Sequence, residues 1–183
     1  NVDTFSGAAT AEVSDAHTIT NLKTINDACS GTITLTNYAV GLTGNSDVVA
    51  AALSGTFAAP YTGAVSLSDA HTLTELKTVN NATTGTITLA NYAVALTGST
   101  SDVKAAIDGT FDAAYTGNVT LNDANTTNIA ATDLTQIAGD TAGTVTVSNN
   151  INITGTAAAI ATAVGNVDTF SGAATAEVSD AHT

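Results

Sequence analysis

Apolar and polar positions between residues 65 and 107 alternate with two different periods. Val65-Ser-Leu67 alternates with a period of two, which is typical of a half-buried strand. Thr72 and Glu75 have the spacing of a capping box, which marks the start of a helix. Apolar residues then recur three positions apart, at Leu73, Leu76 and Val79. This stripe predicts an amphipathic helix after Thr72.

The second half of the same stretch predicts two more strands and a shorter helix. Residues 86–89, Thr-Ile-Thr-Leu, alternate as a strand does, and the alternation from Tyr92 to Leu96 predicts a third strand. Residues 98–102 have the composition of a turn with a helix N-cap. Apolar residues at 103, 106 and 107 predict a short helix there. The predicted order of elements is therefore β-α-β-β-α.

The chain repeats itself over a long and a short period. Residues 166–183 are identical to residues 1–18, NVDTFSGAATAEVSDAHT, so the long period runs from Asn1 to the residue before Asn166. Inside that period the segment Ser-Asp-Ala-His-Thr begins at Ser14 and Ser68, and the next period repeats it from Ser179. The related segment Asn-Asp-Ala-Asn-Thr begins at Asn122 and completes a nearly even series. Such periods are typical of repeat architectures.

These periods predict the domain organisation. Residues 1–165 form one full period, with sub-repeats of about 1–54, 55–108 and 109–165, and residues 166–183 begin the next identical period. The third sub-repeat gains residues around 128–131, and we expect this insertion to lie in a loop.

A tandem array of these units predicts an α/β fold, a right-handed solenoid of repeats of about 54 residues with two coils in each repeat. The alternative is a mostly-β solenoid in which wide turns replace the helices. Either way, apolar residues should point inward and stack on their equivalents in the copy before. The expected core residues are Leu35, Leu67, Leu89, Leu96 and Ile107.

Composition excludes some classes of partner. Thr supplies 36 and Ala 35 of the 183 residues, and three lysines without any arginine face sixteen acidic residues, for a net charge of −13. Binding to phosphate requires clustered Lys and Arg, so we expect no nucleic-acid partner. No apolar run approaches the roughly 20 residues of a membrane helix, so we expect no membrane insertion.

One aspartate recurs in each short segment, at Asp15, Asp69, Asp123 and Asp180. Calcium requires about six to eight oxygen ligands, and no calcium-loop motif surrounds these positions. We therefore predict that each aspartate accepts hydrogen bonds from backbone N–H groups in a turn before a helix. No cofactor is expected, and calcium at the four aspartates is the alternative.

The other recurring polar residues suggest structural roles. His17 and His71 occupy the same turn, where we expect hydrogen bonds at the start of a helix. Cys29 has no disulfide partner within the period, and we expect it to be a small buried residue at a helix end. Thr86 and Thr88 should face away from the core as part of an outward row. No nucleophile, base and orienting group come together, so we predict that the chain is not an enzyme.

Three segments resemble a known class of repeat: Tyr-Thr-Gly-Asn-Val-Thr-Leu at residues 115–121, Ser-Asp-Ala-His-Thr-Leu at 68–73 and Thr-Gly-Thr-Ile-Thr-Leu at 84–89. They are similar to tandem repeats of giant secreted or cell-surface proteins of cyanobacteria and other aquatic bacteria. The likeness extends over essentially the whole chain. It implies an extracellular or cell-surface location in a filament, sheath or adhesin.

Together these patterns predict a structural repeat module of a long extracellular fibre, sheath or adhesin stalk. Its expected partners are further copies of the same repeat along the chain, with lateral self-association of neighbouring filaments. The alternative function is a binding module that recognises glycan, calcium or ice through its repeated polar face.

Overall fold

The computed structural model describes residues 8–180, which form two compact units. The first unit consists of residues 8–91 with 109–113, and the second of residues 92–108 with 114–180. Each unit combines helices with short strands, and all pairings between the named strands are parallel.

The elements of the first unit are β1 (Ala11–Val13), α1 (Ile19–Ala28), β2 (Ile33–Leu35), β3 (Leu42–Gly44), α2 (Ser46–Leu53), β4 (Val65–Leu67), α3 (Leu73–Ala82) and β5 (Ile87–Leu89). The elements of the second unit are β6 (Leu96–Gly98), α4 (Thr100–Ile107), β7 (Val119–Leu121), β8 (Thr127–Ala130), α5 (Ala131–Asp140), β9 (Val145–Val147), β10 (Ile151–Gly155), α6 (Ala157–Asn166), β11 (Thr169–Phe170) and β12 (Ala174–Val178).

Four helices, α1, α3, α4 and α6, begin where a hydroxyl side chain caps them. The Thr72 hydroxyl accepts a hydrogen bond from Glu75 N at 3.3 Å, and the Glu75 carboxylate accepts one from Thr72 N at 2.8 Å. The predicted capping box at the start of α3 is therefore confirmed. Ser99 caps α4 in a similar way and accepts from Asp102 N at 3.2 Å. The predicted order β-α-β-β-α is confirmed for β4, α3, β5, β6 and α4.

Two local predictions were wrong. Tyr92 lies in a turn, and the strand starts only at Leu96. The Tyr92 carbonyl accepts a hydrogen bond from Thr116 N at 2.8 Å, which holds the turn in place. The alternation of apolar residues that begins at Tyr92 therefore includes a turn and does not mark a single strand. The insertion around residues 128–131 is not a loop. It forms β8, because Ile129 is buried and β10 offers a parallel partner.

Paired strands lie about half a sub-repeat apart along the chain. In the first unit Leu42 pairs with Val65, and Val65 pairs with Ile87. In the second unit Leu96 pairs with Val119, and Val119 with Val145. One helix lies between the two strands of each of these pairs, as the crossover connection of parallel strands requires.

This register corrects the expected stacking between copies. Leu67 pairs with Gly44 on one side and with Leu89 on the other, rather than with Val13, its equivalent in the copy before. The reason is that the chain comes back to the sheet after 22 or 23 residues, before one sub-repeat is complete. All five expected core residues, Leu35, Leu67, Leu89, Leu96 and Ile107, are at most 4% exposed.

Two of the glycines that lie where consecutive β-α stretches approach closely are Gly85 and Gly143. A Cβ atom on Gly85 would stand 2.2 Å from the carbonyl oxygen of Gly63, and one on Gly143 would stand 2.4 Å from that of Gly117. Both distances are far below van der Waals contact, so any side chain would force the backbone apart.

The fold class is α/β, with parallel strands joined by helices. The mostly-β alternative was wrong, because residues 8–180 contain six helices at the places where helical stripes occur. None of the helices in this range has both the length and the apolar character that crossing a membrane requires.

Candidate functional site

The recurring aspartates bind the N-termini of helices. Asp69 Oδ1 accepts a hydrogen bond from Ser46 N at 2.7 Å, and Asp180 Oδ1 accepts one from Ala157 N at 2.8 Å. Asp123 accepts from Thr100 N at 3.0 Å and from the Thr100 hydroxyl at 2.6 Å. Helix N-termini carry unsatisfied N–H groups and a partial positive charge, so a carboxylate stabilises them.

The helix that each aspartate caps is not the one predicted. Asp69 precedes α3, but it caps α2, whose first residue lies 23 residues upstream. The start of α3 is satisfied by Thr72 and Glu75, so Asp69 is available for the earlier helix. No helix precedes Asp15 within residues 8–180.

Further polar contacts form between neighbouring helices and within α1. The Ser46 hydroxyl, at the first residue of α2, donates to a Glu75 carboxylate oxygen at 3.2 Å. In the second unit Lys104 of α4 and Asp133 of α5 form an ion pair at 2.6 Å. On the more exposed surface of α1, Lys23 pairs with Asp27 one helical turn away. The first contact ties α2 to α3, and the second ties α4 to α5.

These contacts use the oxygens that a calcium ion would need. A shallow depression of about 190 Å³ in the second unit is lined in part by Thr100, Asp123 and Asp133. Asp123 is directed at Thr100, and Asp133 is directed at Lys104. Within residues 8–180 no three His, Cys, Asp or Glu side chains come together as metal ligands would.

The histidine of the same segment is buried, which the sequence analysis did not predict. His17 is 5% exposed, and its Nε2 lies 2.9 Å from the hydroxyl of Tyr61, which is 0% exposed. The Tyr61 hydroxyl also donates to the carbonyl of Val40 at 2.6 Å. His17 Nδ1 is buried without a hydrogen bond to any described residue. The pair therefore joins α1, through the turn before it, to the loop that precedes β4.

Burial shifts the acid–base behaviour of this pair. Burial lowers the pKa of His17 below its usual value, and the nearby Asp15 carboxylate opposes part of that effect. Burial raises the pKa of the Tyr61 phenol to about 12. Both shifts favour the neutral form, as expected for groups removed from water. His71 is also buried, and burial lowers its pKa against the opposing charges of Glu75 and Asp69.

The second unit contains an equivalent tyrosine. Tyr115 is 1% exposed, its hydroxyl donates to the carbonyl of Val94 at 2.6 Å, and burial raises its pKa. Neither tyrosine was predicted from the sequence as a hydrogen-bonding residue of the repeat. The signal was present, because Tyr-Thr-Gly recurs at Tyr61 and Tyr115 with the same spacing as the His17 and His71 segments.

Cys29 ends α1 at the position that threonine occupies in the other sub-repeats. The Thr141 hydroxyl donates to the carbonyl of Gly117 at 2.8 Å, and Thr83 makes a similar bond to Gly63 at 3.1 Å. Cys29 lies at the helix end as predicted, but it is only partly buried. A thiol is a weaker hydrogen-bond donor than a hydroxyl, and within residues 8–180 the Cys29 thiol makes no bond equivalent to those of Thr83 and Thr141.

Threonines form an outward row on one sheet of the second unit. Thr97, Thr120, Thr146 and Thr169 are aligned in register on β6, β7, β9 and β11. The corresponding row of the first unit mixes Thr43, Ser66 and Thr88. Neighbouring hydroxyl side chains in such a row are about 4.8 Å apart, the spacing of adjacent strands.

The recurring polar residues of both units thus make contacts that hold the fold together. Comparisons of the chain with models of protein families, with curated proteins and with solved structures found no match.

Proposed function

We propose that the chain is a structural repeat module of a long extracellular fibre, sheath or adhesin stalk, built as a right-handed α/β solenoid. Successive periods join end to end through one backbone ladder and one apolar core. Its role is mechanical, it performs no catalysis, and it belongs to the surface repeats that its sequence resembles.

The observation that carries this proposal is the similar spacing of the paired strands along the chain. In both units the paired strands are parallel and lie about half a sub-repeat apart along the chain. Because each strand pairs only with strands that lie a short distance away along the chain, the same pairing can continue through any number of repeats. The identity of residues 1–18 and 166–183 supplies the sequence for such repetition.

The polar residues support the same proposal. Asp69, Asp123 and Asp180 bind helix N-termini, and Tyr61 and Tyr115 bind backbone carbonyls. Residues that recur once per sub-repeat serve contacts that also recur once per sub-repeat. The negative surface charge keeps long filaments from collapsing onto each other in salt water.

Chains of one, two and four long periods test the proposal by electron microscopy and small-angle X-ray scattering. Paired strands lie 22–26 residues apart along the chain, so one long period spans about seven strand spacings, and each added period should lengthen a rigid rod by about 34 Å. The four-period chain should keep the cross-section of the single period. A flexible string, or an increment above about 45 Å per period, would contradict the solenoid.

The aligned threonines favour a second candidate, binding of ice or another ordered polar surface. It ranks second because the equivalent row of the first unit is interrupted by Ser66. Thr120→Lys would place a long charged side chain in the middle of the row. Ice-growth inhibition by the unmodified chain, abolished by this variant, would support the candidate. Absence of inhibition would remove it.

A further inference from the structure

The third sub-repeat differs from the other two at one turn. His17 and His71 are 5% and 3% exposed, whereas Asn125, which stands at the same place in its segment, is exposed to solvent. Its neighbours Ala124 and Thr126 are exposed as well. The position that is buried in two sub-repeats therefore lies on the surface in the third.

The absence of a phenol accounts for this difference. Tyr61 follows His17 by 44 residues and bonds to it, and Tyr115 follows His71 at the same distance along the chain. Residues 169–172, at the corresponding place after Asn125 once the insertion around residues 128–131 is counted, are Thr-Phe-Ser-Gly. The third sub-repeat has neither the histidine nor the tyrosine, so it cannot form the buried pair.

The same replacement creates an acceptor motif for asparagine-linked glycans. Residues 125–127 read Asn-Thr-Thr, which has the pattern Asn-x-Thr in which the amide of asparagine accepts a glycan in secreted proteins. A histidine has no such amide, so the equivalent turns at His17 and His71 lack the motif. Within the long period this turn carries the motif once.

The hydrogen bonds of Asn125 leave the reacting atom available. Asn125 Oδ1 accepts a hydrogen bond from Asn150 N at 3.1 Å, while Nδ2 makes no bond to another residue of the range 8–180. A sugar on Nδ2 leaves the carbonyl oxygen in place, so the bond to Asn150 is retained in the modified chain. Thr126 has a φ of 67°, which is strained for a β-branched residue, and relief of this strain favours rearrangement of the turn in the active site of a transferase.

The motif occurs at three other places, and the fold restricts each of them. Asn81 lies in the last turn of α3. The hydroxyl of Thr83, the third residue of that motif, is buried and donates to the carbonyl of Gly63 at 3.1 Å. A transferase would have to unwind the end of the helix to reach this motif.

The remaining two motifs involve strands of the second unit. Asn118 directly precedes β7, and Thr120 in the middle of that strand has a paired strand on both sides. Asn152 lies within β10, and its Nδ2 donates to Asn128 Oδ1 at 3.0 Å. Neither motif can enter an active site without local unfolding of a sheet, so Asn125 is the accessible acceptor of the four.

We propose that the turn at Asn125 is the site at which the folded chain receives an asparagine-linked glycan. The donor is an oligosaccharide carried on a lipid diphosphate. Nδ2 forms a bond to the anomeric carbon, the bond from that carbon to the diphosphate oxygen breaks, the lipid diphosphate leaves, and one amide proton passes to a base of the transferase. This inference rests on the proposed function, since the motif is used in exported proteins.

Glycan transfer to the folded 183-residue chain tests the proposal. The probe is a purified single-subunit oligosaccharyltransferase that requires only Asn-x-Thr, supplied with a lipid-diphosphate oligosaccharide. Intact-mass spectrometry and peptide mapping give the readout, with circular dichroism to verify folding. The folded chain should gain one oligosaccharide, at Asn125. Asn125→Gln should abolish this gain, and the matched control Asn81→Gln should leave it unchanged.

Short peptides that span each of the four motifs separate the effect of sequence from that of structure. All four peptides should be modified, because each contains the motif without the fold. An unmodified folded chain, or transfer to another motif of the folded chain as fast as to Asn125, would overturn the proposal. So would an unreactive Asn125 peptide. Failure of the other three peptides would overturn it too, since sequence alone would then explain the selection.

The result is independent of the test of the rod. A chain of four long periods contains four such turns and should gain four oligosaccharides, about 34 Å apart along the proposed solenoid. A rigid rod that gains no glycan would refute the acceptor site alone. A flexible string that is glycosylated at Asn125 would refute the proposed function and support the acceptor site.

Discussion

At the scale of single residues, carboxylates and phenols form hydrogen bonds with backbone groups that helices and strands leave without a partner. Asp123 satisfies the first N–H of α4, and Tyr61 satisfies a backbone carbonyl in a loop. Both lie far along the chain from their partners. They therefore act as links between successive β-α stretches, and each link can be removed by one substitution.

Removal of the carboxylate at Asp123 should destabilise the fold. Asp123→Ala leaves the Thr100 N–H and hydroxyl without their acceptor, and loss of a helix cap costs about 0.5–2 kcal/mol. Asp15→Ala is the matched control, since no helix precedes Asp15 within residues 8–180. Urea denaturation should show a clear loss for the first variant and a smaller one for the second. Equal losses of stability in the two variants would mean that Asp123 stabilises the turn in which it lies rather than the start of α4.

Stability should fall at both ends of the pH range. Burial raises the folded-state pKa of Tyr61 to about 12, so phenols ionise first in the unfolded chain, and the free energy of unfolding decreases as pH rises from about 10 towards that value. Burial lowers the pKa of His17 and His71, so the unfolded chain binds protons first and stability decreases as pH falls below about 6.5.

Denaturation curves at several pH values measure both effects. Tyr61→Phe should lower stability at pH 7 by about 1–3 kcal/mol, since His17 and the Val40 carbonyl lose a buried partner. The same variant should show a shallower alkaline decrease than the unmodified chain. An identical alkaline slope would show that Tyr61 is accessible to hydroxide in the folded state.

At the scale of elements, the strands are short, and they depend on close contact between successive β-α stretches. Gly85 and Gly143 allow this contact, because each lies against a carbonyl of the preceding stretch. Gly139 lies inside α5, and a Cβ there would meet no atom within 4 Å.

The same substitution should therefore have opposite effects at two glycines. Gly85→Ala places a methyl group against the Gly63 carbonyl and should destabilise the fold by about 1–3 kcal/mol. Gly139→Ala should stabilise it by roughly 0.5–1 kcal/mol, because alanine is the better helix former. Thermal unfolding followed by circular dichroism gives both values. A neutral Gly85→Ala would mean that the two stretches are farther apart than the structure places them.

Local sequence signals were sufficient for most elements of this fold. The capping box at Thr72 and the alternation at Val65-Ser-Leu67 depend on neighbours within a few residues, and both predicted the observed element. Strand β8 could not be predicted, because Ile129 offers one apolar residue and the rest of the signal is its pairing with β10. The partner of Asp69 was missed for the same reason, since the sequence does not reveal a register of 23 residues.

At the scale of the whole molecule, acidic residues outnumber lysines by sixteen to three, and the recurring carboxylates are occupied by backbone donors. Such a chain can carry high negative charge without requiring a cation at these positions. Its stability should respond to ionic strength through general screening rather than through a specific ion.

A chelator should accordingly leave the fold intact. With EDTA present at constant ionic strength, the melting temperature should equal that of the untreated chain within about 1 °C. A chelator lowers the melting temperature only of a protein whose folded state is stabilised by a bound metal ion. Added calcium should produce the same change as magnesium at equal concentration. A selective rise with calcium, absent in Asp123→Ala, would establish the aspartates as ligands.

The position of each capping aspartate also determines the order in which the chain can complete its structure during synthesis. Ser46 emerges from a ribosome or an export channel 23 residues before Asp69, and Thr100 emerges 23 residues before Asp123. The start of α2 is therefore unfinished until the following segment has emerged and closed it. Maturation then advances in one direction, from the N-terminus, and the growing end carries one incomplete segment at a time. Even a very long polypeptide would expose only a short unfinished stretch to proteases while it is made.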